Sequence, residues 1–259
     1  MKDVKMPIIE HLADLRKRIT ISLIALLIAF VVAFIYSEDI FRLLTFPLRY
    51  HVSFSFSSPF VLLIEKNVKN NPPLVFLAPT EAFWMHMKIS MIAGFVVSLP
   101  VIFSQLWMFV SPGLKEKEKK YVIPFVLIAT IFFAIGVVYC FFFVLPFAMG
   151  FLLTYKTESL TPMLSVGKYV DFCLKFILAF GLIFELPIAI IFSTRMGIVS
   201  TRTLAKNRKY AYLIAFVAAA ILTPTPDAFN QTLMAVPMIV LYEVGVFVSR
   251  IFIRKKAAT

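Results

Sequence analysis

The sequence predicts an all-α, polytopic membrane protein: six transmembrane helices in a concave bundle, both termini cytoplasmic, with a short external cap. Three observations predict it. Of 259 residues, 61% are hydrophobic and only 15% charged, far from the balance of a water-soluble domain. Six apolar runs recur, at about 19–36, 82–110, 121–150, 169–194, 210–222 and 233–249, with no polar tract large enough for a second domain. Residues 1–259 therefore read as a single six-helix membrane domain. Lysine and arginine also sort by side: eighteen fall in 1–18, 111–120, 195–209 and 250–259, but only five in 37–79, 151–167 and 223–232. Basic residues are retained in the cytoplasm, so the first group and both termini belong there. The formal charge of +12 marks one membrane face and carries no case for nucleic acid.

Taken in order, the first run, Ile19 to Tyr36, follows MKDVKMPIIEHLADLRKR. It is too long for a signal-peptide core and lacks a small-x-small cleavage site, so it is retained as a helix. Residues 37–79 form the external cap. Within it SEDIFRLLTFPLR places Ile40, Phe41, Leu44 and Leu48 on one helical face, which predicts a short interfacial helix. A surface turn is expected over residues 67–73, and Ala78-Pro79-Thr80-Glu81 caps the second span. Spans two and three approach thirty residues, about 45 Å of helix against a hydrocarbon core of about 30 Å. They must tilt, bend or project, and Pro100 and Pro124 offer bending points. Span five, YAYLIAFVAAAIL, reaches only about 20 Å and implies local thinning or snorkelling flanks.

Several chemistries are excluded. Cys140 and Cys173 lie inside apolar runs without metal-ligand spacing, and His11, His51 and His86 are scattered. The chain has no HExxH and no glycine-rich phosphate loop. No cofactor, metal site or enzyme activity is expected.

The residue that stands out is Glu185, tenth in the nineteen-residue run FILAFGLIFELPIAIIFST. Twelve Phe, Leu or Ile residues in that run, each favouring insertion by about 0.3–0.6 kcal/mol, outweigh a central charge costing about 3 kcal/mol. The helix inserts, and the carboxylate decides its rotation. Gly181, Glu185 and Ala189 lie four apart, and Lys168, Asp171 and Lys175 roughly continue the stripe, so this face is expected to meet protein or trapped water. The other notable carboxylate is Glu118, in the cytoplasmic loop SPGLKEKEKK. It stands at the membrane surface, where it can accept a guanidinium in a charge-assisted pair.

Four motifs occur in order at matched depths: HLADLRKR before the first span, FxSPGLKEKEKK after the second, FGLIFELP in the fourth and LTPTPDAFNQTLMAVPMIVLYE through the sixth. Together they resemble TatC, the multispanning receptor subunit of the twin-arginine protein translocase, over about His11 to Arg250. The resemblance implies a multi-pass protein of the cytoplasmic (inner) membrane. It would bind twin-arginine signal peptides of folded cargo, assemble with single-span TatA/TatB-type subunits and further copies of itself, and draw on the proton motive force. It places signal-peptide binding on Glu118, Asp14 and Phe109, an intramembrane polar site on Glu185, partner-helix docking on Gln231 and a structural role in the external loop on Pro47. Two positions depart from the family pattern. Asp14 replaces the commoner glutamate and shortens the reach by one methylene, and Asn230 stands where a hydroxyl residue is frequent.

On this reading Glu118, helped by Asp14 and the Phe109 face, docks the substrate's arginines, while a groove lined by Gly181, Glu185 and Ala189 receives the apolar part of the signal peptide. Arg16, Lys17 and Arg18 act as a stop at the membrane surface. Asp227 and Glu243 read as helix-end residues. The rival reading is a proton-coupled secondary transporter of a small solute using Glu185 and Lys175, but the two halves show no repeat and no matched pair of broken helices.

Overall fold

A computed structural model of the chain describes residues 8–54, 61–65, 73–110, 122–154, 163–223 and 227–257. The elements run α1 (Ile8–Ile35), α2 (Ser37–Leu44), α3 (Phe46–Arg49), β1 (Tyr50–Phe54), β2 (Val61–Glu65), β3 (Leu74–Val75) and α4 (Glu81–Val110). Then come α5 (Val122–Tyr139), a π-helical turn (Cys140–Val144), α6 (Leu145–Thr154), β4 (Leu164–Ser165), α7 (Val166–Phe184), α8 (Leu186–Arg195), α9 (Thr201–Lys206), α10 (Arg208–Leu222) and α11 (Ala228–Ala257). Among the described residues, five stretches are long and apolar enough to cross a membrane: His11–Ile35, Glu81–Val110, Ile123–Leu153, Val166–Arg195 and Ala228–Ile251. The sixth predicted span is α10, whose fifteen residues make about 22 Å of helix. The all-α polytopic class holds.

Three details differ from the sequence reading. Pro124 falls in the first turn of α5, where no intrahelical donor is lost, and it bends nothing. The third span is interrupted instead at the π turn Cys140–Val144, immediately before Pro146, whose missing N–H breaks the regular ladder. The fourth span also breaks. Pro187 has no N–H, and Glu185 sits at the junction, ending α7 and preceding α8. The cap contains strands as well as helix: β1 pairs antiparallel with β2, and β3 pairs parallel with β4. Its helical part divides into α2 and α3 before Pro47, which occupies the second position of α3, where a proline is tolerated. The turn expected over 67–73, apart from Pro73, and the loop 111–120 with Glu118 lie outside the described residues.

Cα packing divides the chain into two compact units: Met1–Phe41 with His86–Ile131, and Arg42–Met85 with Phe132–Thr259. In the first, α1 runs antiparallel along α4. The backbones touch at Gly94, where an added Cβ would lie 2.7 Å from the Phe30 backbone nitrogen. Without a hydrophobic drive between helices in lipid, such small-residue approaches hold spans together through van der Waals contact. Trp107 then meets Phe125 edge to face, with centroids 4.3 Å apart, joining α4 to α5.

The second unit is organised on α7. Phe172, Phe176 and Phe180, four residues apart, stack in sequence, and the latter two are fully buried. Ser165 caps α7 by accepting from the Lys168 N–H. Tyr169 donates to the Leu44 carbonyl at 2.6 Å, tying the cap to this helix. Glu81 strengthens that end: one carboxylate oxygen accepts from the Ser165 hydroxyl and from the Gly167 N–H at 2.7 Å, the other from the Leu77 N–H at 2.6 Å.

Candidate functional site

The first group of candidate residues lies where the N-terminal turns of α1 meet the end of α4. His11 stacks on Phe109 with ring centroids 4.4 Å apart and planes inclined by 19°. Asp14 follows His11 by one helical turn. Its Oδ2 accepts from Arg18 Nε at 2.7 Å, with the two side chains 25% and 20% exposed. Spacing explains the pair, since residues four apart on a helix are neighbours and the acid precedes the base. The shorter aspartate therefore already holds a guanidinium of its own chain. His11 was missed by sequence reasoning. An isolated histidine carries no signal until the antiparallel register sets it opposite Phe109.

The second candidate is Glu185. Its N–H donates to the Leu182 carbonyl at 3.1 Å, and its own carbonyl accepts from Ala189 at 2.9 Å, so backbone pairing bridges the break at Pro187. Its side chain is half-buried, and Oε1 is buried with no hydrogen-bond partner among the described residues. A polar oxygen hidden in an apolar surrounding costs free energy until a donor reaches it. The expected groove of Gly181, Glu185 and Ala189 does not form as one face. Gly181 is buried against the ring of Phe133, leaving no room for a Cβ, while Ala189 is exposed. The cause is rotational. Glu185 borders the stripe of Lys168, Asp171, Lys175 and the 57% exposed Leu182, and Gly181 lies on the side turned to α5.

The remaining candidates are engaged within the chain. The Gln231 amide donates through Nε2 to the Phe216 carbonyl at 3.1 Å, joining α11 to α10. Beside it, Asp227 accepts from the backbone N–H of Asn230 at 2.7 Å and from its Nδ2 at 2.9 Å, the helix-end role expected of it. The buried Asn230 thus serves the cap of α11. Pro47 is fully buried in α3. Glu243 does not end a helix, as its sequence reading had it, but lies midway along α11: Oε1 accepts from the Tyr212 hydroxyl at 2.6 Å, and Oε2 pairs with Arg208 at 2.7 Å. A signal for that contact exists in the sequence. Arg208 opens α10 and Glu243 lies about as far into α11 as α10 is long, so antiparallel packing of the two helices brings them to matching heights.

The family model described as the Sec-independent protein translocase protein, TatC, matches residues 10–237. The chain belongs to the TatC family. It is 40% identical over 256 residues to a Sec-independent protein translocase protein TatC of Carboxydothermus hydrogenoformans, covering 99% of this chain and 97% of that protein. With the TatC of Desulforapulum autotrophicum the identity is 39% over 98% of this chain and 88% of the relative. With that of Escherichia coli it is 33%, over 96% and 90%. A crystal structure of the twin arginine translocase receptor TatC, solved in DDM, superposes with a TM-score of 0.78 at 37% identity, covering 92% of this chain and 99% of that one. Asp14, Phe109, Glu118, Glu185 and Gln231 all fall inside the matched TatC region. The fold is thus that of a multi-pass membrane protein of protein transport.

Proposed function

We propose that this chain is the receptor and core component of a twin-arginine translocase in the cytoplasmic membrane, with both termini facing the cytoplasm and no enzymatic activity. It binds the twin-arginine signal peptides of folded cargo and recruits single-span subunits of TatA/TatB type. The observation that carries this reading is the full-length similarity, in sequence and in fold, to a solved twin arginine translocase receptor. The chemistry of the residues supports it. Arginine stays charged and presents a planar fork of donors that suits carboxylates, whereas lysine offers a point charge. Glu118 and Asp14 supply the carboxylates, and Phe109, stacked with His11, an aromatic surface beside Asp14. Glu185 supplies an acceptor at the α7–α8 junction for a polar group on a companion helix, and the unpaired Oε1 supports that role.

The test is binding of a fluorescent twin-arginine signal peptide to the purified full chain. Binding that falls at least tenfold when the arginine pair becomes a lysine pair, and falls again in Glu118→Ala and Asp14→Ala, is the expected result. Equal capture of both peptides by all three proteins would refute the assignment.

A further inference from the structure

We propose that the segment 195–209 forms a binding site for the phosphate of an anionic phospholipid headgroup, organised by Arg208 and presented by Arg202, Lys206 and Lys209. The site begins where α8 stops. Gly197, at φ 74°, closes that helix: its N–H donates to the Thr194 carbonyl, and the Ile198 N–H to the Ser193 carbonyl at 3.0 Å. Ser200 then caps α9 by accepting from the Thr203 N–H at 3.0 Å. The hydrogen-bond ladder continues through Asn207, which donates to the Thr203 carbonyl at 3.1 Å and accepts from Ala211 at 3.3 Å. Arg202, Lys206 and Lys209, spaced by four and three residues, therefore share one face, and all three are exposed.

Charge balance argues for an anion. Residues 195–209 contain five basic residues and no acid. Glu243, which reaches the segment from α11, already pairs with Arg208 and accepts from Tyr212. Arg208 is thereby pinned, yet its Nε–H is buried without an acceptor among the described residues. On the neighbouring helix, Tyr242 donates to the Leu204 carbonyl at 2.9 Å, two turns before the exposed Arg250, so α11 adds cationic charge beside α9.

Depth argues for a lipid. At fifteen residues, α10 is about 8 Å shorter than the hydrocarbon core, so its two ends cannot both stand clear of the membrane. Its basic end is drawn to headgroup level, where Lys and Arg meet phosphate. Tyr210, 55% exposed with Lys209 Nζ 5.1 Å from its ring, is the amphipathic aromatic that this depth favours. The chemistry requires an anionic headgroup, because a zwitterionic one brings its own cation.

The test titrates the purified full chain in detergent with phosphatidylglycerol, counting bound lipid by native mass spectrometry, with phosphatidylcholine and inorganic phosphate as parallel probes. Each basic residue at an anionic surface strengthens binding by roughly fivefold, so R202Q/K206Q/K209Q is expected to weaken phosphatidylglycerol binding about 100-fold. The charge-keeping R202K/K206R/K209R should stay within about threefold of the parent, and K88Q/K168Q/K175Q, removing as much charge elsewhere, within about fivefold. These side chains are exposed, and thermal melting verifies that each variant folds. Equal losses in the two glutamine triples, no loss in the first, or displacement of the lipid by equimolar inorganic phosphate would each overturn the proposal. No signal peptide takes part, so the outcome is independent of the receptor reading.

Discussion

Asp14 and Arg18 form the kind of pair that single helices make, and its energy bears on affinity. A pair of opposite charges four residues apart on a helix contributes about 0.3–0.5 kcal/mol. A guest arginine that displaces Arg18 forfeits that amount. Arg18→Gln is therefore expected to tighten twin-arginine peptide binding about twofold, measured by fluorescence titration, with no change in the preference for arginine over lysine, because both guests meet the same resident. Gly94 sets a second constraint at this scale. Gly94→Leu would push a side chain into the Phe30 backbone, and overpacking of this sort costs about 1–3 kcal/mol. The expected readout is a lowered midpoint of unfolding. The Asp14–Arg18 pair follows from its spacing along α1, whereas the Gly94 contact was not visible in the sequence. Asp14 and Gly94 carry ordinary helix-compatible signals, and only the register of α1 on α4 gives Gly94 a backbone to touch.

Among the elements, the fourth span shows how a proline acts through its neighbours. Pro187 lacks the donor that a regular helix would need, so α7 ends at Phe184 and Glu185 stands at the junction with α8. Pro187→Ala restores a donor, and the expected result is slower amide hydrogen exchange at residues 186–190, with α7 and α8 merging into one helix. Exchange rates unchanged from the parent would show that packing, not the missing N–H, makes the break. The sequence reading took this span as one helix although FELP contains Pro187, and it expected the carboxylate on one groove with Gly181 and Ala189; packing against Phe133 divides that stripe. The short α10 is a different case. Its length was read correctly, while its fastening by Glu243 and Gln231 depends on the hairpin with α11. Glu243→Leu is expected to free the start of α10 and speed tryptic cleavage after Lys206 and Lys209. Glu243→Gln, which keeps an acceptor for Tyr212, should do so less.

For the whole molecule, the distribution of lysine and arginine makes a sharp statement about orientation. Eighteen on one side and five on the other predict that both termini face the cytoplasm. Single cysteines added at residues 5 and 257, in a chain whose Cys140 and Cys173 are buried, should label only when reagent is admitted to the cytoplasmic face. Labelling of either terminus from outside would reverse the topology and with it the placement of Glu118 and Asp14 on the cytoplasmic rim.

The amino-acid sequence by itself determined the class, the number and rough limits of the spans, the preferred sidedness and, through its ordered motifs, the TatC resemblance. These follow from hydropathy, charge and local spacing, which act within one helix or between a helix and its solvent. Only the tertiary structure decided which groups meet: His11 with Phe109, Glu81 with Ser165 and Gly167, Arg208 with Glu243, and Gly181 with Phe133. The physical reason is that in lipid any apolar face is equally content beside lipid or beside another helix, so hydropathy cannot choose between them. Close packing and the few available hydrogen bonds make that choice.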